Sequence, residues 1–526
     1  MASVAGLKLD SQQIRDELAR ITESDVLSGS PQLVAFLKYV VEATLNGASE
    51  RIKGYTIGVE VLRRNADFDP RIDPIVRVEA SRLRRALERY YAGPGANDNI
   101  IVDLPLGGYV PTFSARQERD DANARSPSDI VRVRSRDGMP TLSIEPFEIF
   151  AVADHAAKLA ELFHKRLYGA FARFDAINIT APVADSAAAD PEDYRFAGVI
   201  EAPGDSGMRI HLRLIDTADK TVAWSDTFDL PIASSENPEA SDNIITEVSA
   251  TLLQPFGIIQ SRERTRQLST GGGDHRYRGI IEASEAFRSF DPLLHRRARA
   301  ALETLTANEP NFAMGFSYLA ALYFREHQYS FLGLRPDPTL LDRALALARR
   351  AIEMKPESAR AYHILFGVLF ARHEIAAAIA AGERAVKLNP YDMPLVSDYG
   401  GRFVIVGEVD RGMEFLSRAM KFGAGRPSWH HFYMFLASYL RDDKTGMVYY
   451  ASQIAGVHPL PLIARALAAR VAGDDVRAGQ ALATLKAIGQ TWDTDIESEL
   501  QKFFPNPDLV RRIAGDLETI HAAGTR

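Results

Sequence analysis

Between residues 76 and 89 the chain carries Arg77, Arg82, Arg84, Arg85 and Arg89, with Ser81 among them. Guanidinium is a planar fork of donors that stays charged at any physiological pH. It matches both phosphate oxygens and the O6/N7 edge of guanine. The chemistry on offer is recognition of a polyanion, not the making or breaking of bonds. Ten basic residues face six acidic ones over residues 51–92, a local net charge of +4 in a chain whose net charge is −7. The positive field is therefore concentrated in this stretch.

Residues suited to catalysis are not grouped in this way. The chain has no cysteine, which excludes disulfides and thiolate chemistry. Gly271-Gly272-Gly273 is not followed by lysine, so it is not a Walker-type phosphate loop, and neither a Gly-x-Ser-x-Gly elbow nor a His-Glu-x-x-His pair occurs. His430-His431 is the only histidine doublet, and neighbours on a helix diverge by ~100°, which does not suit shared metal ligation. Asn65, Asp67, Asp69 and Asp73 fail as a calcium loop, because Pro70 stands where glycine is needed and Val76 where a bidentate glutamate belongs. No catalytic residue, metal ligand or cofactor is expected, and the chain does not read as an enzyme.

The elements that must position the arginines can be read from apolar spacing. Val76, Ala80, Leu83 and Leu87 are four, three and four residues apart, the stripe of an amphipathic helix that starts at Pro74. Gly93-Pro94-Gly95 breaks it, and residues 100–104, 105–108 and 109–113 read as strand, turn and returning strand. Taken alone, the helix has two readings: a nucleic-acid interface, or the solvated face of an ordinary core helix. Upstream, residues 9–23 and a helix opened by Ser30-Pro31 carry apolar faces (Ile14, Leu18, Ile21; Leu33, Phe36, Leu37, Val40, Val41). They either pack on this core or form a dimer surface.

The run from Val76 through Ser81-Arg82-Leu83-Arg84-Arg85 to Glu88, followed by Gly107-Gly108-Tyr109-Val110, resembles the recognition helix and wing of the OmpR/PhoB type of winged helix-turn-helix. The match spans about residues 54–113. It departs from that type in having Leu106 where the wing often carries arginine, and in having helices in place of an amino-terminal sheet. The resemblance implies double-stranded DNA as partner. Arg77, Ser81, Arg82, Arg84, Arg85 and Arg89 would lie in the major groove, and Leu106, Gly107 and Gly108 near the backbone or minor groove.

Further along, the composition changes. Residues 114–139 are charged and aperiodic, a linker. Residues 140–260 alternate strands and helices as a small α+β domain. Leu142-Ser143-Ile144-Glu145-Pro146-Phe147, Leu212-Arg213-Leu214-Ile215-Asp216 and Lys220-Thr221-Val222-Ala223-Trp224-Ser225 resemble the TolB-like domain of bacterial regulators. Trp224 reads as strand core or as the wall of a ligand pocket. Residues 261–276 read as a hinge around the glycine triplet. From 277 to 526 the chain is helical, and Ala351, Ala385 and Ala419 recur 34 residues apart, as do Pro356 and Pro390. That is the tetratricopeptide period. An insertion at 330–338 separates an earlier unit ending at Pro310, and five or six helix pairs are expected. Such a solenoid presents a concave surface for a protein or peptide partner, or else serves only for self-association.

The expected fold is multidomain: winged helix-turn-helix over 1–113, a small α+β domain, and an α-solenoid of tetratricopeptide-like repeats. This arrangement resembles one-component bacterial transcription regulators, with a possible homodimer on tandem half-sites. No apolar run reaches the ~20 residues of a membrane span, and residues 1–10 lack the features of a signal peptide. A cytoplasmic home without membrane attachment is expected. The competing reading is a scaffold that does not bind DNA and assembles proteins on its repeats.

Overall fold

The computed structural model describes residues 11–24, 27, 31–62, 75–92, 94–95, 98–104, 109–115, 138–151, 154–180, 192–202, 207–231, 238–255, 257–270, 274–333, 337–422 and 429–523. The chain divides into two compact units, Met1–Ile130 and Val131–Arg526.

In the first unit α1 (Ser11–Glu23) and α2 (Pro31–Leu45) precede a short helix, α3 (Gly54–Thr56), which runs into one π turn (Ile57–Val61). Helix α4 (Ile75–Ala92) and the antiparallel pair β1 (Ile100–Asp103) and β2 (Thr112–Ala115) follow. The stripe read from sequence is the buried one: Val76, Ala80, Leu83 and Leu87 share a core with Ile14, Leu18, Ile21, Phe36, Leu37 and Val40. The two leading helices thus pack on α4. Polar groups fasten the arrangement. Tyr91 donates to Glu17 Oε1 (3.0 Å) and accepts from the Val102 amide (2.8 Å), tying α1, α4 and β1 together. The returning strand begins at Thr112, three residues later than its sequence suggested. Pro111 has no N–H to give a ladder, so pairing starts after it.

The second unit opens with a sheet in the order β5-β3-β6-β7-β8, with β4 also pairing β6. The strands are β3 (Thr141–Ile144), β4 (Glu148–Ala151), β5 (Asn178–Thr180), β6 (Tyr194–Ala202), β7 (Gly207–Asp216) and β8 (Thr221–Pro231). β3 and β4 are separated at Pro146, which has no amide proton to donate. Along β7 every second residue, Met208, Ile210, Leu212 and Leu214, is buried. Helices α5 (Asp154–Phe171) and α6 (Pro238–Leu252) share that core. Trp224 is half-buried and stacks on Phe196 at 6.5 Å, so it belongs to the sheet's packing.

The hinge expected over 261–276 is mostly helix, because α7 (Ile258–Thr270) runs through it. Its charges are anchored instead of solvated. Arg262 Nε donates to Asp216 Oδ2 (2.8 Å), Arg266 Nη2 donates to the same oxygen, and Glu263 accepts from Tyr194 (3.0 Å) and from Arg266 (2.8 Å). The triplet 271–273 lies outside the described residues.

Among the described residues six antiparallel helix pairs follow: α8 (His275–Ser289) with α9 (Pro292–Asn308), α10 (Ala313–Gln328) with α11 (Leu340–Met354), and α12 (Ala359–Ala371) with α13 (Ile375–Leu388). Then come α14 (Met393–Val406) with α15 (Val409–Lys421), α16 (Trp429–Leu440) with α17 (Lys444–Gln453), and α18 (Pro459–Val471) with α19 (Asp475–Ile488). Short helices α20 (Gln490–Thr494) and α21 (Ile496–Gln501) lead to a final α22 (Pro507–Ala523). Ala351, Ala385 and Ala419 sit in the second helices of three consecutive pairs and are fully buried. At Gly412 a Cβ would stand 2.6 Å from the Gly400 carbonyl oxygen, so α14 and α15 meet backbone to backbone. Asp175, beyond α5, fastens sheet to repeats: it accepts from Ser358 Oγ (2.9 Å) and the Arg360 amide (3.1 Å) at the start of α12 and pairs with Lys355 (2.8 Å).

Candidate functional site

In the first unit the backbone of α4 carries Arg77, Ser81, Arg82, Arg85 and Arg89 at positions other than those of its buried stripe. Their side chains, like residues 105–108 with Leu106, Gly107 and Gly108, lie outside the described residues, as do the acids of the 65–73 segment. Arg84 is described and half-buried: its Nε donates to the Leu104 carbonyl (2.7 Å), holding the end of β1 against the helix. One of the arginines assigned to DNA from sequence thus has part of its guanidinium engaged within the fold.

The second unit contains a cavity of about 250 Å³ on the inner face of the repeats. The first helices of successive pairs form its walls, α10, α12, α14 and α16, and its aromatic lining includes Phe290, Tyr329, Trp429, Phe432, Phe503 and Phe504. The chain closes back around it. Lys502 Nζ, just past α21, donates to Ser330 Oγ (2.8 Å), and the Gln501 carbonyl lies 3.2 Å from His373 Nε2. Phe503 packs edge-on to Tyr329 (5.1 Å), and His458 stacks on Phe290 (3.9 Å). Burial, with Arg325 and Arg465 nearby, pushes His458 down to about 3, so its imidazole is neutral. Phe290 itself sits at φ +53, a left-handed conformation costly for a residue with a Cβ, at the end of α8. The fold tolerates that strain where the ring forms the wall.

A polar ladder crosses this face. His363, Asp398 and Tyr433 lie 35 residues apart on α12, α14 and α16: His363 Nε2 is 3.1 Å from Asp398 Oδ2, and Tyr433 donates to Asp398 Oδ1 (2.5 Å). Burial disfavours the Asp398 anion, yet Arg402 and the hydrogen bond from His363 outweigh it and hold the carboxyl far below the usual range. Tyr433, buried beside that carboxylate, is pushed well above its ordinary value and stays a neutral donor.

Among the described residues that line the cavity, Arg325, Arg360 and Arg402 stand against this one carboxylate. Arg402, 7 % exposed, approaches Asp398 Oδ1 with its Nε at 3.4 Å, but the Nε makes no aligned hydrogen bond. Arg325 donates through Nη2 to the Phe287 carbonyl (2.8 Å), and its Nε is buried without an acceptor. Among the described residues neither Arg325 nor Arg360 has a carboxylate within ion-pair distance, and Asp392 and Asp175 act on Arg360 only from farther off. Each guanidinium lies over a ring instead: Arg325 over Phe290 (4.3 Å), Arg360 over Tyr318 (5.1 Å), Arg402 over Phe370 (4.5 Å). The arrangement can hold an anion. Among the described residues no group of three His, Cys, Asp or Glu could hold a metal ion, and no helix is long and apolar enough to cross a membrane.

None of these cavity residues was singled out from sequence. The available signal was the 35-residue spacing of His363, Asp398 and Tyr433, polar groups at one position of three consecutive first helices. The alanine period used to detect the repeats tracks the second helices instead.

No family model matches the chain, and no curated protein matches it. Nineteen solved chains do. Among them is the crystal structure of PilW, a widely conserved type IV pilus biogenesis factor, at 19% identity, covering 40% of this chain and 92% of that one with a TM-score of 0.29. An overlap that loose carries no argument about fold or function.

Proposed function

We propose that this chain is a non-catalytic binding protein built on helical repeats, which docks its partner at the arginine-lined cavity of the second unit. The observation behind the reading is the imbalance of three guanidinium groups against one carboxylate inside aromatic walls. Buried cations without counter-charges are costly unless something pairs with them. The test is affinity selection from fractionated cell extract with the full chain and with an Arg325→Met/Arg360→Met variant, both checked for unchanged circular dichroism. Components retained by the native chain and lost by the variant are expected; identical retention by both would sink the reading.

A second reading is favoured by the first unit. An amphipathic helix with Arg77, Arg82, Arg85 and Arg89 off its buried stripe, backed by an antiparallel hairpin, is an arrangement suited to the major groove. Together with the resemblance to OmpR/PhoB-type domains, it supports residues 1–113 as a winged-helix DNA-binding domain of a cytoplasmic one-component regulator, with the second unit as its receiver of signals. Fluorescence anisotropy of the full chain on pooled genomic fragments tests this. Four phosphate-paired arginines imply that log K falls with log salt at a slope of about −4. Arg82→Ala/Arg85→Ala should roughly halve that slope. Absence of binding at low salt would leave only the docking function.

A further inference from the structure

We propose that the cavity's occupant is a small organic anion, a carboxylate joined to an aromatic or similarly apolar body. This rests on the reading of the second unit as a binding body and names what it binds. Size comes first. At about 250 Å³ the space is at the small end of ligand cavities. The return of residues 501–504 onto Ser330, Tyr329 and His373 covers part of the concave face, which leaves less of it for an extended peptide.

Charge comes second. Arg402 is shared with Asp398, whose two oxygens are already taken by His363 and Tyr433. Asp398 therefore has little left to offer Arg325 and Arg360. A carboxylate is the planar, two-oxygen partner a guanidinium fork fits best. The walls decide the rest of the molecule: Phe290, Tyr329, Trp429, Phe432 and Phe504 present ring faces and edges to whatever the arginines hold. A bare inorganic anion would leave those surfaces wet. The neutral His458 imidazole, stacked on Phe290, extends the apolar side.

Isothermal titration of the full chain with 3-phenylpropionate, 3-phenylpropionamide, acetate, inorganic phosphate and a short acidic peptide separates the possibilities. Saturable binding of 3-phenylpropionate is expected, with the amide and acetate each at least about tenfold weaker. Arg325→Met and Arg360→Met should each weaken it about 10- to 100-fold, the worth of one charge-assisted hydrogen bond. Arg360→Lys should recover part of that loss, which distinguishes lost charge from lost folding. Equal binding of the amide overturns the anionic requirement, and equal binding of phosphate or acetate overturns the apolar one. If only the acidic peptide binds, this inference fails while the docking function survives. If nothing binds, and affinity selection also shows no difference between native chain and variant, both fall.

Discussion

Replacing Asp216 by alanine should destabilise the second unit by about 3–5 kcal/mol, the cost of stranding charges that were paired in the interior. The side chain is fully buried and its Oδ2 takes hydrogen bonds from Arg262 and Arg266, which are themselves only 32% and 24% exposed. Removing it loosens α7 from the end of β7 and takes from Arg266 its buried acceptor, while its contacts to Glu263 and Tyr194 remain. Urea denaturation followed by tryptophan fluorescence would read the effect, since Trp224, one of the chain's three tryptophans, stacks within the same sheet. The pH dependence gives an independent check. Burial disfavours the Asp216 anion, but the hydrogen bonds from Arg266 and Arg262 outweigh it and hold the carboxyl below its ordinary value. A folded pKa below the unfolded ~3.9 means the contribution is complete above about pH 4 and is lost as pH falls through the folded pKa. The gap between the native chain and Asp216→Asn should therefore be constant from pH 5 to 8 and narrow below about pH 4. A gap that stayed constant down to pH 2 would show that the carboxylate's charge contributes nothing.

Which parts of this molecule could be read from sequence follows from the range of the interactions involved. The α4 stripe was legible because Val76, Ala80, Leu83 and Leu87 are neighbours along one helix, so local period alone reports their shared burial. The repeats were legible for a related reason: Ala351, Ala385 and Ala419 face the same crowded crossing in successive units. The hinge expected at 261–276 failed because Arg262, Glu263 and Arg266, polar enough to read as solvated, are matched by Asp216 and Tyr194 about 50 to 70 residues away. The cavity was hidden more thoroughly. Arg325, Arg360 and Arg402 are three among 62 basic residues, and they share a cavity only because successive first helices, with Phe503 and Phe504, line the same space. By contrast, the arginines that drew notice in sequence were those crowded into fourteen residues, because clustering along the chain is visible where clustering in space is not.

The second large effect should come from Asp398→Asn, and it should run in two directions at once. Stability should fall by roughly 2–4 kcal/mol, toward the lower side of the cost of breaking a buried pair, because the amide keeps an oxygen for Tyr433 while Arg402 loses the one carboxylate within ion-pair distance of it among the described residues. Anion binding should rise for the same reason: the cavity would then hold three guanidinium groups and no carboxylate. If the cavity is built for an organic anion, saturating 3-phenylpropionate should raise the urea midpoint of Asp398→Asn more than that of the native chain, since a ligand stabilises the folded state in proportion to its affinity for it. The stability gap between the two proteins should then shrink. Arg402→Met should behave oppositely, losing stability through the stranded Asp398 carboxylate and gaining less from the anion than the native chain, because the unpaired carboxylate then competes for Arg325 and Arg360. Were both variants destabilised alike and equally indifferent to the anion, the ladder of His363, Asp398 and Tyr433 would be a structural brace, and Arg402 merely the cation that balances it.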